Sequence, residues 1–368
     1  MTWPEGHPMM QGLRGGQGGL IAALIACAAT TVGTAEAQAQ EQPPVTVELG
    51  GRAQFQYSTT SVGEEELDGE APASNTFEAR RVRLRVDLDI GDWITARIQP
   101  DIAQGDLRVA DAYIDFGLSD YLNLKVGQFK RAFSRIELTS STVIPTIERG
   151  VRISGLDDYL GMVPGEHYEI LGESGYVGRD LGASLRGGTE RFGWELGVFN
   201  GEGADSRDVN DDKTAAARFT VTPAAGTPLE LGAGVQRRDT PAENGWAYEF
   251  DAEWGALGSP GVHLLAEAAF GDDLTSATDA SFTGIHGILS WYGALSGQRF
   301  QGIELVGRAS WGDPNGDVDD DEGLLLTPGL NLYVFGRNRI MANWDVYLPS
   351  GDAFESQHAF RAQAQVYF

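Results

Sequence analysis

Three arginines at alternate positions, Arg81, Arg83 and Arg85, are the residues of this chain best placed to do chemistry. On an extended strand a two-residue step puts them on one face, about 7 Å apart. Guanidinium forks bind oxyanions through paired N–H donors, and a series of moderate sites lets an anion be held and then passed on. Arg52, Arg97 and Lys125 would face the same region, and Asp87, Asp89, Asp111 and Asp115 are available as partners. Pairing with those carboxylates would reduce the column to a charged, wet wall. Both readings stand for Arg85; for Arg81, Arg83 and Lys130 we read anion contact.

Other chemistries find less support. The five histidines, His7, His167, His263, His286 and His358, have no ligand spacing. The run Asp313-Pro-Asn315-Gly-Asp317-Val-Asp319 begins like a calcium loop, but Val318 stands in the place of the turn glycine and Leu324 in that of the bidentate glutamate. It reads as a solvated acidic loop, with bridging to divalent ions or lipopolysaccharide as the alternative. Cys27 is the only cysteine, which excludes a disulfide framework. Neither a nucleophile elbow nor a phosphate-cradling glycine loop before a helix is present. No enzyme, cofactor or metal is expected. The formal net charge of −26 excludes a basic nucleic-acid surface.

The elements that must carry the arginines are strands. Period-two segments separated by turn residues recur about sixteen times along the chain. Val47, Leu49, Ala53, Phe55 and Tyr57 alternate with Glu48, Arg52, Gln54 and Gln56, and Val82 to Ile90 alternate with Arg81 to Asp89. Trp246, Tyr248, Phe250, Ala252 and Trp254 alternate with Ala247, Glu249, Asp251 and Glu253. The final stretch, Phe360 to Phe368, alternates likewise and ends on an aromatic, like the closing strand of a bacterial outer-membrane β-barrel.

Connection lengths alternate too. Gly91-Asp92, Ser119-Asp120, Thr189-Glu190, Pro223 to Pro228, Gly255 to Pro260 and Arg337-Asn338 are short, whereas Thr59 to Thr76, Gly201 to Asp212, Gly271 to Ala280 and Gly312 to Glu322 are long and acidic. A soluble sandwich could share this spacing. It would not place ladders of charge on one face and aromatics at the ends of the other, as a lipid boundary favours. The predicted fold is therefore all-β: a transmembrane, antiparallel, up-and-down barrel of about 16 strands. Sixteen strands leave a water-filled lumen, unlike eight. The longest connection, 131–176, is the candidate for an inward-folded constriction loop, and it begins with Arg131.

The front of the chain fits export. Arg14 precedes an apolar run from Leu20 to Ala35, followed by Ala35-Glu36-Ala37 and Ala37-Gln38-Ala39, so residues 1–39 read as a signal peptide and 40–368 as the barrel. Leu24-Ile25-Ala26-Cys27 has the shape of a lipoprotein processing site, but the apolar run continues past it.

Six ordered landmarks resemble the phosphate-selective porin O/P family: Phe77-Glu-Ala-Arg80-Arg81-Val-Arg83-Leu84 before Gly91 to Trp93, Asp111-Ala-Tyr-Ile-Asp115, Val126-Gly-Gln-Phe-Lys130, Glu137-Leu-Thr-Ser-Ser141 with Glu148-Arg149, Gly178-Arg-Asp-Leu-Gly182, and Leu196-Gly-Val-Phe-Asn-Gly201. The resemblance implies a trimeric, sixteen-stranded channel of the bacterial outer membrane, of a kind of which some members select phosphate or polyphosphate with lumenal arginines and lysines, and it carries that role onto Arg80, Arg81, Arg83 and Lys130. With Arg85, Lys125 and Arg131 these are the candidate anion-binding residues. Small hydrophilic solutes or inorganic anions, outer-membrane lipid and lipopolysaccharide, and further copies of the chain are the expected partners.

Charge argues against a simple anion channel. The loops are acidic, and Glu249, Asp251, Glu253, Glu267 and Glu304 would face the arginines across the lumen. A basic wall opposite an acidic wall suits general diffusion of small polar solutes. The alternatives are a weakly selective or cation-preferring porin, or a plugged barrel serving adhesion or envelope structure.

Overall fold

The computed structural model describes residues 43–60, 75–105, 107–150, 165–209, 211–239, 244–275, 280–351 and 356–368. The expected signal peptide, Cys27 and His7 lie outside them.

Alternating apolar and polar residues give sixteen described strands. They are β1 (Val45–Thr60), β2 (Asn75–Ile90), β3 (Ile94–Asp101), β4 (Arg108–Ser119), β5 (Leu122–Lys130), β6 (Arg179–Gly188), β7 (Phe192–Phe199) and β8 (Thr214–Val221). The second half holds β9 (Leu229–Asp239), β10 (Asn244–Trp254), β11 (Gly261–Asp272), β12 (Ser281–Ala294), β13 (Gly302–Asp313), β14 (Gly323–Phe335), β15 (Asn338–Pro349) and β16 (Gln357–Tyr367). Each pairs with its neighbour in sequence, and β1 pairs with β16 to close the barrel. Just past that ladder, Phe368 and Gly51 exchange backbone hydrogen bonds of 2.8 and 3.1 Å. A Cβ on Gly51 would lie 2.6 Å from the Arg83 carbonyl and 2.8 Å from the Phe368 ring, so the seam requires glycine there.

The faces are inverted relative to a soluble sandwich. On β1, Val47 (56%), Leu49 (73%) and Phe55 (56%) are exposed, whereas Gln54, Gln56 and Ser58 are buried inside. Trp246, Phe250 and Trp254 on β10, and Ile285, Leu289 and Trp291 on β12, are exposed in the same way. Apolar outside and polar inside is stable only with hydrocarbon around the wall.

After β5 the chain turns inward. Its described parts hold two short helices, α1 (Arg135–Leu138) and α2 (His167–Glu173). Ser134 Oγ accepts the Glu137 N–H to cap α1, and the Glu166 carboxylate accepts the N–H groups of Tyr168 and Glu169 to cap α2. The lumen offers an apolar seat that its otherwise polar lining does not suggest. Phe133, Ile170, Leu171 and Tyr176 pack on Ala247, Ala269 and Phe282, while Ile136 and Ile144 pack on Leu265, Ile288 and Val306. Each large side chain buried there contributes about 1.5–3 kcal/mol. Backbone carbonyls of the same segment accept from lumenal side chains: Ser141 from Gln54 (3.1 Å), Ile144 from Arg339 (2.7 Å), Pro145 from Asn331 (2.8 Å) and Thr142 from Gln365 (3.1 Å). The segment is thus tied to β1 and to the β11–β16 side of the wall.

Candidate functional site

The arginine column is irregular where it matters. In the β1–β2 ladder Gln54 faces Arg81 and Phe55 faces Ala79, so Arg80 is the extra residue of a β-bulge. The bulge turns two consecutive arginines to the inside, and both reach Glu148 of the inserted segment. Arg80 Nε lies 2.8 Å from Oε1, and the two terminal nitrogens of Arg81 lie 3.1 and 2.9 Å from Oε1 and Oε2.

The other predicted residues are placed as follows. Arg83 donates to Asp101 at 2.5 Å. Arg85 is 2.8 Å from both Glu48 and Asp87, and it donates to the Tyr367 hydroxyl at 2.9 Å. Lys130 pairs with Glu137 at 3.1 Å and also donates to its backbone carbonyl. Lys125 lies over the rings of Tyr113 and Phe129, at 4.6 and 4.9 Å. Arg131 stands apart: 2% exposed, it donates to Asp180 at 3.0 Å and to the carbonyls of Gly175 and Val177. It anchors the base of the inserted segment and does not line the cavity.

Arg80, Arg81, Arg83, Arg85, Lys125 and Lys130 border one cavity of about 690 Å³ between β1–β6 and the inserted segment. Among the described residues lining it, eleven are Arg or Lys and three are Asp or Glu. Three of its cations, Arg52, Lys125 and Arg337, have no carboxylate partner among the described residues. Arg52 makes one 3.5 Å contact to Ser140 Oγ, and its buried Nε has no hydrogen-bond partner. Arg337 donates to Thr142 Oγ1 at 3.3 Å and lies 4.9 Å from the Tyr367 ring centroid.

The acidic wall is where expectation and structure part. Glu267 accepts from Ser134 Oγ (2.7 Å) and the Ile136 N–H (2.9 Å), and lies 2.9 Å from His167 Nε2, all on the inserted segment. Glu253 pairs with Arg135 and lies 3.0 Å from His263. Arg218 holds Glu249 and Asp251, and Glu304 accepts from Ser290, Asn331 and Tyr333 at 2.8–2.9 Å. These carboxylates are buried, and none lines the cavity. The inserted segment covers Glu253 and Glu267, and Glu249, Asp251 and Glu304 are paired within the wall, so none of the five borders the cavity beside the arginines.

Two carboxylates of the segment, Glu137 and Glu148, are held ionised. Burial would raise Glu137, but Lys130 and Arg149 outweigh it and hold the carboxyl at about 2. Burial opposed by Arg80 and Arg81 leaves Glu148 below the usual carboxylate range. Tyr168, buried and donating to Glu137 at 2.7 Å, is raised well above an ordinary phenol.

Sequence reasoning overlooked several lining residues. Arg179, 2.8 Å from Asp111, had a signal in the Gly178-Arg-Asp landmark. Arg337 lies in the β14–β15 turn, where a period-two reading assigns no face. Tyr113 and Tyr367 carry no charge, and nothing in their spacing marks them. In the acidic loop after β13, Asp313 accepts the Asn315 N–H and Asn315 accepts the Asp317 N–H, each at 3.1 Å, so these side chains stabilise the loop's own turns. Residues 151–164 of the inserted segment fall outside the described residues.

Residues 47–267 match the family described as phosphate-selective porin O and P. The fold is similar to the outer membrane channel DcaP of Acinetobacter baumannii, with a TM-score of 0.59, 12% identity, and 88% of this chain and 97% of that one covered. It is similar to Pseudomonas putida OprB, at 0.60, 12%, 88% and 94%. It is also similar to in-vitro folded OmpT of Vibrio cholerae in its trimer form, at 0.57, 12%, 88% and 99%. At such identities the likeness carries the fold alone. No curated protein matches the chain in sequence.

Proposed function

The chain belongs to the phosphate-selective porin O and P family and is a channel of the bacterial outer membrane, not an enzyme; from that premise we propose that its conduit favours small anions, inorganic phosphate among them. The observation that carries this reading is the cavity beside the inserted segment, with eleven basic and three acidic lining residues. The carboxylates that could have balanced it from β10–β13 are engaged by the segment and by neighbouring wall residues.

Along β2 an anion would pass Arg80 and Arg81, then Arg83, then Arg85, with Arg52, Lys130, Arg179 and Arg337 bordering the same cavity. Arg52 and Arg337, unpaired and flanking the hydroxyls of Ser140 and Thr142, offer the best subsite for an oxyanion. Arg83, Arg85 and Lys130 act through partly neutralised charge, which suits passage better than tight capture. We assign residues 131–176 the role of constriction, residues 1–39 that of a signal peptide, and a homotrimer as the assembled form. The last is supported by the trimer form of OmpT.

One observation favours a second reading, a weakly cation-preferring pore: the net charge is −26, and the long connections of the sequence are rich in Asp and Glu. Salt screens such loops beyond about 8 Å at physiological ionic strength, so the lining of the narrow region prevails over them. A plugged adhesion barrel is set aside by membership of a porin family. Titrating inorganic phosphate into a chloride current through single channels in a planar bilayer tests the proposal. Block weakened by Arg52→Ala or Arg337→Ala supports it; no block at any phosphate concentration overturns the phosphate part.

A further inference from the structure

Glu148 is 92% buried on the inserted segment, with 8% of its side chain exposed, and it does not line the cavity, whereas Arg80 and Arg81 both do. It therefore takes up hydrogen bonds and charge from both guanidiniums without itself bordering the cavity. It reaches both only because the β-bulge in β2 turns two consecutive arginines to one side. Its carbonyl accepts from Arg308 at 2.9 Å and from Thr146 Oγ1 at 2.9 Å, so its backbone is fixed from the opposite wall. Two positive charges bordering the cavity are thus offset by one buried negative charge whose backbone is held in place.

We infer that Glu148 is a specificity-determining residue of the channel: by offsetting one of the two charges that Arg80 and Arg81 present, it weakens oxyanion capture enough to permit release. The inference rests on the anion-channel reading above. Electrostatics set its size. An oxyanion bound by the two guanidiniums lies within several ångströms of the carboxylate, in a part-buried setting where one charge alters occupancy by roughly tenfold or more. The bulge and Glu148 form one device, because a regular strand would send one of the two adjacent arginines outward.

The test uses the full-length channel in planar bilayers, with inorganic phosphate titrated against chloride current and heat-modifiable gel migration confirming a closed barrel. Glu148→Gln should tighten phosphate block about tenfold or more and shift the reversal potential toward chloride. Arg80→Gln should weaken block by a similar factor, and Arg80→Gln with Glu148→Gln should return it close to the wild-type level. Unchanged or weaker block in Glu148→Gln overturns the inference. Should that variant fail to close, comparing Arg80→Gln with the double variant decides: restored block supports the role, and block as weak as in Arg80→Gln refutes it. A cation-favouring wild-type reversal potential would count against the anion-channel reading, while the direction of the shift in Glu148→Gln would still judge Glu148.

Discussion

Glu267→Ala should loosen the inserted segment without opening the barrel. The Glu267 carboxylate is buried on β11 and engages three groups of the segment: Ser134 Oγ at 2.7 Å, the Ile136 N–H at 2.9 Å and His167 Nε2 at 2.9 Å. Bonds to a charged acceptor contribute about 1.5–3 kcal/mol each, and three in one network sum to less than their separate values, so the loss should be about 3–6 kcal/mol. Ser134 has a φ of 65°, a left-handed conformation uncommon outside glycine that costs about 1–3 kcal/mol, and Glu267 helps to hold it there. The apolar seat under Phe133, Ile136 and Leu171 would remain, so the segment should exchange between docked and displaced states. Single-channel recording should then show added current noise and a second, larger conductance level, with heat-modifiable migration unchanged. Glu267→Gln, which keeps an acceptor, should show about half the effect. A Glu267→Ala channel with wild-type conductance and no added noise would refute the assignment of this carboxylate as the anchor.

Other perturbations separate the roles of individual groups. Arg52→Ala or Arg337→Ala should each lower anion occupancy, by about 1 kcal/mol or roughly fivefold for one charge about 4 Å away in water, read as a drop in the chloride-to-potassium permeability ratio. Arg131→Ala strands the fully buried Asp180 carboxylate, at a cost of about 3–5 kcal/mol. Its barrel should convert to the unfolded gel form at lower temperature, while surviving channels keep the wild-type reversal potential; a changed potential would put Arg131 in the solute path. Glu137 is held at about 2 against an ordinary 4.5, so its stabilising contribution is complete above about pH 4.5 and is lost only as pH falls through about 2. Conductance in potassium chloride should show no Glu137-linked step between about pH 7 and 5, and a step there that Glu137→Gln abolishes would contradict the pairing with Lys130 and Arg149.

The barrel was legible because its wall obeys one simple rule. Val47, Leu49 and Phe55 against Gln54, Gln56 and Ser58 declare inside and outside by alternation alone, and the fold preserves that alternation along most of the wall. The candidate site was legible only in part, for two physical reasons. A bulge breaks the period, so Arg80 faces inward in defiance of the rule, and a turn residue such as Arg337 has no period to read. Tertiary cover was hidden as well. Alternation places Glu253 and Glu267 in the lumen correctly, but it gives no sign that Arg135, Ser134 and His167 lie over them. Leu265, Phe282, Ile288 and Val306 were the overlooked clue, as apolar side chains on a face that should be wet mark where another part of the chain must dock.

The most direct test of the central claim is the reversal potential of the purified channel under a potassium chloride gradient. The lining predicts a potential displaced toward the chloride equilibrium value and moved back toward zero by Arg52→Ala with Arg337→Ala. A potential on the potassium side, unaffected by that pair, would mean that the acidic loops govern permeation and that the basic lining does not.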